Sequence, residues 1–365
     1  MGQTSGVLNP AAVVAKNRLA AEFRRKGIVV ALLSGLLYGF YTAFMTLGMS
    51  KGVWEVWYGA KSGLSAFAVM YLLSALGAAT TDTCSAVWAL GIAGFRGRLG
   101  DFFRCIKTKP GMVMVAAAII GGPLASTAYV VGLQKAGSLV VPISALCPAV
   151  GAILGRFMFK QHLNARMLFG IAICFFASFL IGSTGLGDNA PPNLLLGIFF
   201  GFIAAVCWGT EGCVCGYGTS LIDPEVGITI RQVTSGLSNL IILVPVFSMI
   251  SKIDPVGLVA QSFTDSSAMP WFILAGLSAY LTFMLWYKGN AMCGAALGMS
   301  CNGTFSFWGP FCCWLVLGIG AGYDGWDMPP IAWVAAVIMV IGIFVIAMNP
   351  LDLLKKKSEG AYEAA

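Results

Sequence analysis

Residues 27–49 read GIVVALLSGLLYGFYTAFMTLGM, an unbroken run without a single charged side chain. A helix needs about 20 mostly apolar residues to cross the hydrocarbon core of a bilayer, so this stretch is long enough to span. It is too long for the core of a signal peptide and lacks a clear cleavage site, so it is expected to stay as a helix. Its pattern returns at residues 197–211, GIFFGFIAAVCWGTE. There Gly27 falls on Gly197, Tyr38 on Trp208, Gly39 on Gly209 and Tyr41 on Glu211.

The rest of the chain has the same character. Of 365 residues, 58% are hydrophobic and 10% charged, and the mean hydropathy is +0.84. A soluble domain carries roughly 25% charged residues, which its surface needs to stay dispersed. Lipid is therefore the expected solvent. Besides Gly27–Met49, the apolar segments are Leu76–Gly94, Met112–Leu133, Leu139–Phe159, Leu168–Gly185, Leu195–Tyr217, Val226–Ile250, Trp271–Met292, Ala295–Gly320 and Pro330–Met348. That makes ten. The apolar stretch 64–94 is too long for one upright helix, so residues 51–75 are read as an extra outer or re-entrant piece.

The net charge of +7 is not gathered into one stripe, which argues against a nucleic-acid partner. Sixteen of the 22 basic residues fall in the N-terminal tail (1–26), the connectors after the second and fourth segments, and the C-terminal tail (350–365). By the positive-inside rule both termini are expected in the cytoplasm, with the chain multi-pass in the plasma (inner) membrane. An even number of spans follows, and ten satisfies it.

The fold class expected is thus an all-α polytopic membrane protein, with ten transmembrane helices in two five-helix repeats, 27–186 and 194–349. Five is odd, so the second repeat enters the membrane inverted. Inverted repeats are the architecture of alternating-access carriers, with substrate held near the midplane between the halves.

Two stretches carry a family resemblance: Ser144-Ala-Leu-Cys-Pro148, and Phe159-Lys-Gln-His-Leu-Asn-Ala-Arg166. From Gly27 to Met348 the sequence resembles the EamA-like branch of the drug/metabolite transporter superfamily, with its Ser-Ala-Leu-x-Pro helix and Gly-Glu-x-Leu connector. Gln161 stands where that family has glutamate, and Phe305 where a second proline is expected. The resemblance implies a secondary carrier without an ATP site, and no Gly-x-x-x-x-Gly-Lys-Ser/Thr loop occurs in the sequence.

The candidate substrate-binding residues are the polar and aromatic side chains within the apolar segments. A charge at a helix centre costs roughly 2.5–3.5 kcal/mol on insertion scales, so Asp82, Glu211 and Arg231 are expected to face an interior cavity. Lys288, near the inner end of its segment, is placed to join Glu211 and Arg231. The repeat mates Tyr38 and Trp208, and Tyr129 and Trp286, are expected to line one central cavity, joined by Tyr41, Ser144, Gln232 and Asn302. The rings suit an amine by cation–π contact; Arg231 and Gln232 suit a carboxylate. A small amino-acid-like or cationic metabolite is the expected substrate. With no histidine in the apolar segments, any coupling proton falls to a carboxylate, Glu211 before Asp82.

Neither cofactor nor metal is expected. Most of the eleven cysteines lie in apolar runs as small hydrophobes, and the lone His162 sits in a connector. A membrane-embedded enzyme or lipid-handling protein is the alternative, but an intramembrane hydrolase needs a nucleophile with a positioned base, and none is apparent. A receptor would usually bring a soluble domain, for which no connector has room. A coupling ion and a homodimer are left open.

Overall fold

A computed structural model describes residues 10–159, 164–183, 193–219, 221–293 and 295–347. The C-terminal tail, the connector holding Lys160, Gln161 and His162, and the loop 187–192 lie outside the described residues. The described residues form helices and turns, with no strand among them. Six helices are long and apolar enough to cross a membrane: Arg18–Gly48, Lys109–Ser144, Leu194–Cys215, Pro224–Ser251, Met269–Cys293 and Gly298–Gly320. Three shorter apolar helices accompany them, Cys147–Phe157, Ala165–Ile181 and Pro330–Ile346. Large apolar side chains such as Phe157, Phe179, Ile241 and Met249 stand exposed around the bundle, a surface that water does not favour and lipid does.

In chain order the elements are α1 (Pro10–Gly48), α2 (Val53–Tyr58), α3 (Leu73–Phe95), α4 (Leu99–Cys105), α5 (Lys109–Ile119), α6 (Ala125–Ala136), α7 (Val140–Ser144), α8 (Cys147–Phe159) and α9 (Ala165–Ser183). There follow α10 (Leu194–Thr219), α11 (Pro224–Ser238), α12 (Val244–Ser251), α13 (Pro255–Thr264), α14 (Met269–Cys293), α15 (Ala295–Asn302), α16 (Phe305–Cys313) and α17 (Pro330–Ala347). Starts are set by caps. Thr108 accepts the Gly111 N–H ahead of α5, and Asp223 accepts the Glu225 N–H ahead of α11, each with proline in the first turn where a missing N–H costs nothing.

The helices pair antiparallel at glycines. Gly289 meets Ala31 and Gly27 meets Met292 and Cys293, joining α1 to α14. Gly197 meets Ala136 between α6 and α10, Gly236 meets Asp82 between α3 and α11, and Gly170 meets Ile346 between α9 and α17.

Several helices are interrupted. A π-turn at Ile120–Leu124 joins α5 to α6, and another at Asn239–Leu243 joins α11 to α12. Pro123 and Pro245 lack the N–H that would bond one turn back, and such gaps in the ladder are where π-turns form.

Three expectations are corrected here. The second segment is one helix, not an outer piece followed by a helix: residues 66–95 are continuously helical through a π-turn at Ala68–Leu72. Only α2 remains of the extra piece. At about 45 Å, residues 66–95 outrun the hydrocarbon core, which length alone made look like two units. The fourth segment, expected as one helix, is split into α7 and α8 just before Pro148, which lies in the first turn of α8. The ninth segment is likewise split, between α15 and α16.

At the end of the bundle near Gly48, Asp265 ties the start of α2 to the start of α14. Its carboxylate accepts the backbone N–H groups of Val53 at 2.6 Å and of Ser267 and Ala268 at 2.8 Å. Partial burial works against the charge, but these donors hold the carboxyl below its ordinary value. Its stabilising contribution is therefore full above the unfolded aspartate value, about 3.9, and is lost as pH falls through the lower folded value. Asp265→Ala is expected to cost about 1 kcal/mol at neutral pH, read by thermal unfolding in detergent, with the deficit vanishing in strong acid.

Candidate functional site

Where α3, α10 and α11 meet the Ile120–Leu124 π-turn, the core is polar. Gly121 and Gly122 decide this. The Glu211 carboxylate packs directly on Gly121 and the Ser235 hydroxyl on Gly122, leaving no room for a Cβ at either. Only glycine lets the backbone approach side chains so closely.

Arg231 is fully buried, as are Glu211 and Gln232. Its Nε donates to Glu211 Oε1 at 2.8 Å and its Nη2 to Oε2 at 3.4 Å, a two-point grip on the carboxylate. Nη1 donates to Gln232 Oε1 at 2.8 Å, Nη2 also reaches Gly121 O at 3.2 Å, and the guanidinium lies 3.7 Å from the centre of the Phe283 ring. Gln232 Nε2 is left buried without an acceptor.

Asp82 sits beside this pair. Its Oδ2 accepts from Ser235 Oγ at 2.5 Å and Asn239 Nδ2 at 2.8 Å. Arg231, Ser235 and Asn239 recur every four residues, one face of α11 and its π-turn extension.

Trp208 links the polar group to an aromatic one. Its indole N–H donates to Gly121 O at 2.9 Å, while its ring meets Tyr129 at 5.1 Å and Tyr38 at 5.8 Å. Tyr38 in turn touches Tyr41 at 5.3 Å and stacks on Phe305 at 4.2 Å. Tyr129 Oη shares a hydrogen bond with Thr42 Oγ1 at 2.7 Å.

Of the four rings expected in one cavity, Tyr38, Tyr129 and Trp208 converge and Trp286 does not. Trp286 packs on Phe283 and Tyr287, and Phe283 in turn lies against the Arg231 guanidinium. Phe305 is the ring stacked on Tyr38 instead. Lys288 does not join Glu211 and Arg231 either; it pairs with Glu225 at 2.7 Å. A lysine near a helix end is drawn to the nearer, wetter carboxylate. Ser144 donates to Val141 O of its own helix at 2.8 Å, and Asn302 donates to Ser34 Oγ at 2.8 Å, tying α15 to α1.

Sequence reasoning missed Gly121, Gly122, Ser235, Asn239 and Phe283. The four-residue spacing from Arg231 was the one available signal for Ser235 and Asn239.

The two ends of the bundle differ. Near Gly48 a cleft of about 650 Å³ opens, lined by Thr46, Tyr58, Gln134, Lys135 and Asp324 among others. Thr46 bonds the Thr42 carbonyl at 2.8 Å, so this lining residue lies one helical turn from Thr42, the hydrogen-bond partner of Tyr129. At the opposite end charges close the bundle. Glu225 accepts Arg96 and Lys288, while Arg98 pairs with Asp223 at 2.7 Å and lies 3.7 Å from Glu225.

No protein-family model matches the chain. It is similar to Protein LicB of Haemophilus influenzae, 23% identical over 267 residues that make up 72% of this chain and 82% of that protein. A protein of solved crystal structure superposes with a TM-score of 0.50 at 16% identity, covering 92% of this chain and 99% of the other. That likeness is one of fold alone.

Proposed function

We propose that this protein is a secondary active carrier for a small polar metabolite, working by alternating access across the plasma membrane with both termini cytoplasmic. The observation that carries the reading is the buried group of Asp82, Glu211, Arg231 and Gln232, drawn from both halves of the chain and set beside clustered aromatic rings. Ionisable side chains at membrane depth are costly and mark substrate or ion pathways.

The ten-helix inverted repeat is part of the same proposal, and the pairings support it. Exchanging the halves turns the α1–α14 pair into the α10–α6 pair, and turns the α3–α11 and α9–α17 pairs into themselves. The breaks between α7 and α8 and between α15 and α16 also correspond. Carriers of this architecture bind substrate beside such broken helices.

The site chemistry favours an amino-acid-like or cationic substrate. Arg231 and the unused Gln232 Nε2 offer donors to a carboxylate, and the rings with Asp82 suit an ammonium. Screening purified protein for thermal stabilisation by amino acids, amines, nucleosides and sugars, then counterflow in proteoliposomes with any hit, tests the reading. No stabilising compound and no counterflow would sink it.

With a hit in hand, Trp208→Leu is expected to weaken binding roughly 2- to 30-fold, the equivalent of about 0.5–2 kcal/mol of cation–π contact. Lower melting temperature with unchanged affinity would make the rings packing only. For orientation, single cysteines at Asn189 and Ser358, in a cysteine-free background, are expected to react with an impermeant thiol reagent from opposite faces. Labelling of both from outside would remove the ten-helix topology.

A further inference from the structure

Among the described residues, the charged side chains that are fully buried are Asp82, Glu211 and Arg231. Arg231 is held on both oxygens of Glu211, and that pair neutralises itself. Asp82 accepts only from the neutral donors Ser235 and Asn239. With all three ionised, the core would carry one uncompensated negative charge, which a low-dielectric interior does not tolerate. The hydrogen bonds show the same deficit. Both donors converge on Asp82 Oδ2, and Asn239 Oδ1 is a buried acceptor without a donor. The group carries one more negative than positive charge, and both of its donors to Asp82 leave Oδ1 of the carboxylate unused, so a proton on Asp82 removes the excess charge.

We propose that Asp82 is the protonation site of this protein, taking up a proton from water at Oδ1 and releasing it as the carrier cycles. Protonation forms one O–H bond and discharges the core; release restores the carboxylate. A metal cation fits less well, because Ser235 and Asn239 turn hydrogen-bond donors, not lone pairs, towards the carboxylate. The ionisable groups facing Asp82 from neighbouring elements are Arg231 on α11, Glu211 on α10 and Tyr41 on α1. From α6, Tyr129 is engaged by Thr42; α13 brings Ser262 onto Thr80, and α14 packs Gly276 on Cys84. Among these, Arg231 is the cation, and Glu211 already holds it. Asp82, not Glu211, is left to change charge.

The role in cycling rests on the carrier reading, but protonation can be read without any substrate. Infrared difference spectra of the protein in lipid nanodiscs, between mildly acidic and mildly alkaline buffers, are expected to show a protonated-carboxyl stretch that shifts in heavy water. It should disappear in Asp82→Asn and persist in Glu211→Gln. A band that persists in Asp82→Asn but is lost in Glu211→Gln, or no band in the wild type, overturns the proposal. So does thermal stabilisation of the wild type, but not Asp82→Asn, by sodium over potassium at fixed pH, which would assign the site to a metal ion. Should Asp82→Asn fail to fold, Ser235→Ala keeps the carboxyl and removes one donor, so the band is expected to move; an unmoved band overturns the assignment. A proton on Asp82 in a protein without counterflow would remove the carrier reading and leave the site.

Discussion

Arg231→Met is expected to destabilise the protein by about 3–5 kcal/mol at neutral pH, because it leaves the Glu211 carboxylate buried without its partner. The pair is wholly inaccessible, so water cannot take over the lost hydrogen bonds. Unfolding in detergent, followed by denaturant or heat, reads the loss. Adding Glu211→Gln should restore much of it, since removing both charges is far cheaper than removing one. A loss under 1 kcal/mol, with no recovery in the double variant, would show that Glu211 does not depend on Arg231 for its burial.

The second large effect is expected at Gly121. A Cβ there would overlap the Glu211 carboxylate, so Gly121→Ala must push Glu211 from Arg231 or displace the π-turn. Overpacking of this kind costs about 1–3 kcal/mol, and the weakened ion pair adds to it. Gly91→Ala is the control. It lies in α3 with nothing within 4 Å of a Cβ, so replacing glycine by a better helix former is expected to be neutral or stabilising by up to about 1 kcal/mol. Equal effects at the two glycines would mean that the close approach at Gly121 is not a constraint.

These two positions differ in how visible they are in the sequence. Arg231 stands out as a charge in an apolar run, and its membership of the buried group was legible for that reason. Gly121 is one of 46 glycines, and only its contacts set it apart. Trp286 was placed by its repeat mate and Lys288 by its position along its segment, and neither gives the direction in which a side chain points. Phe305 and Phe283 are two of 24 phenylalanines, and membrane helices are full of phenylalanine.

By itself the sequence determined the solvent and the element type. A chain with so few charges and such long apolar runs must satisfy its backbone internally, and helices do this within one segment. It also placed Asp82, Glu211 and Arg231 inside apolar segments, where a charge has to find partners in the core. The tertiary structure alone decided which cation meets which carboxylate. Glu211 and Arg231 are twenty residues apart, and Asp82 and Asn239 more than a hundred and fifty, brought together by glycine contacts between helices. Those contacts depend on shape at each crossing, which hydrophobic periodicity does not encode, and among the described residues they leave Asp82 as the buried carboxylate outside an ion pair.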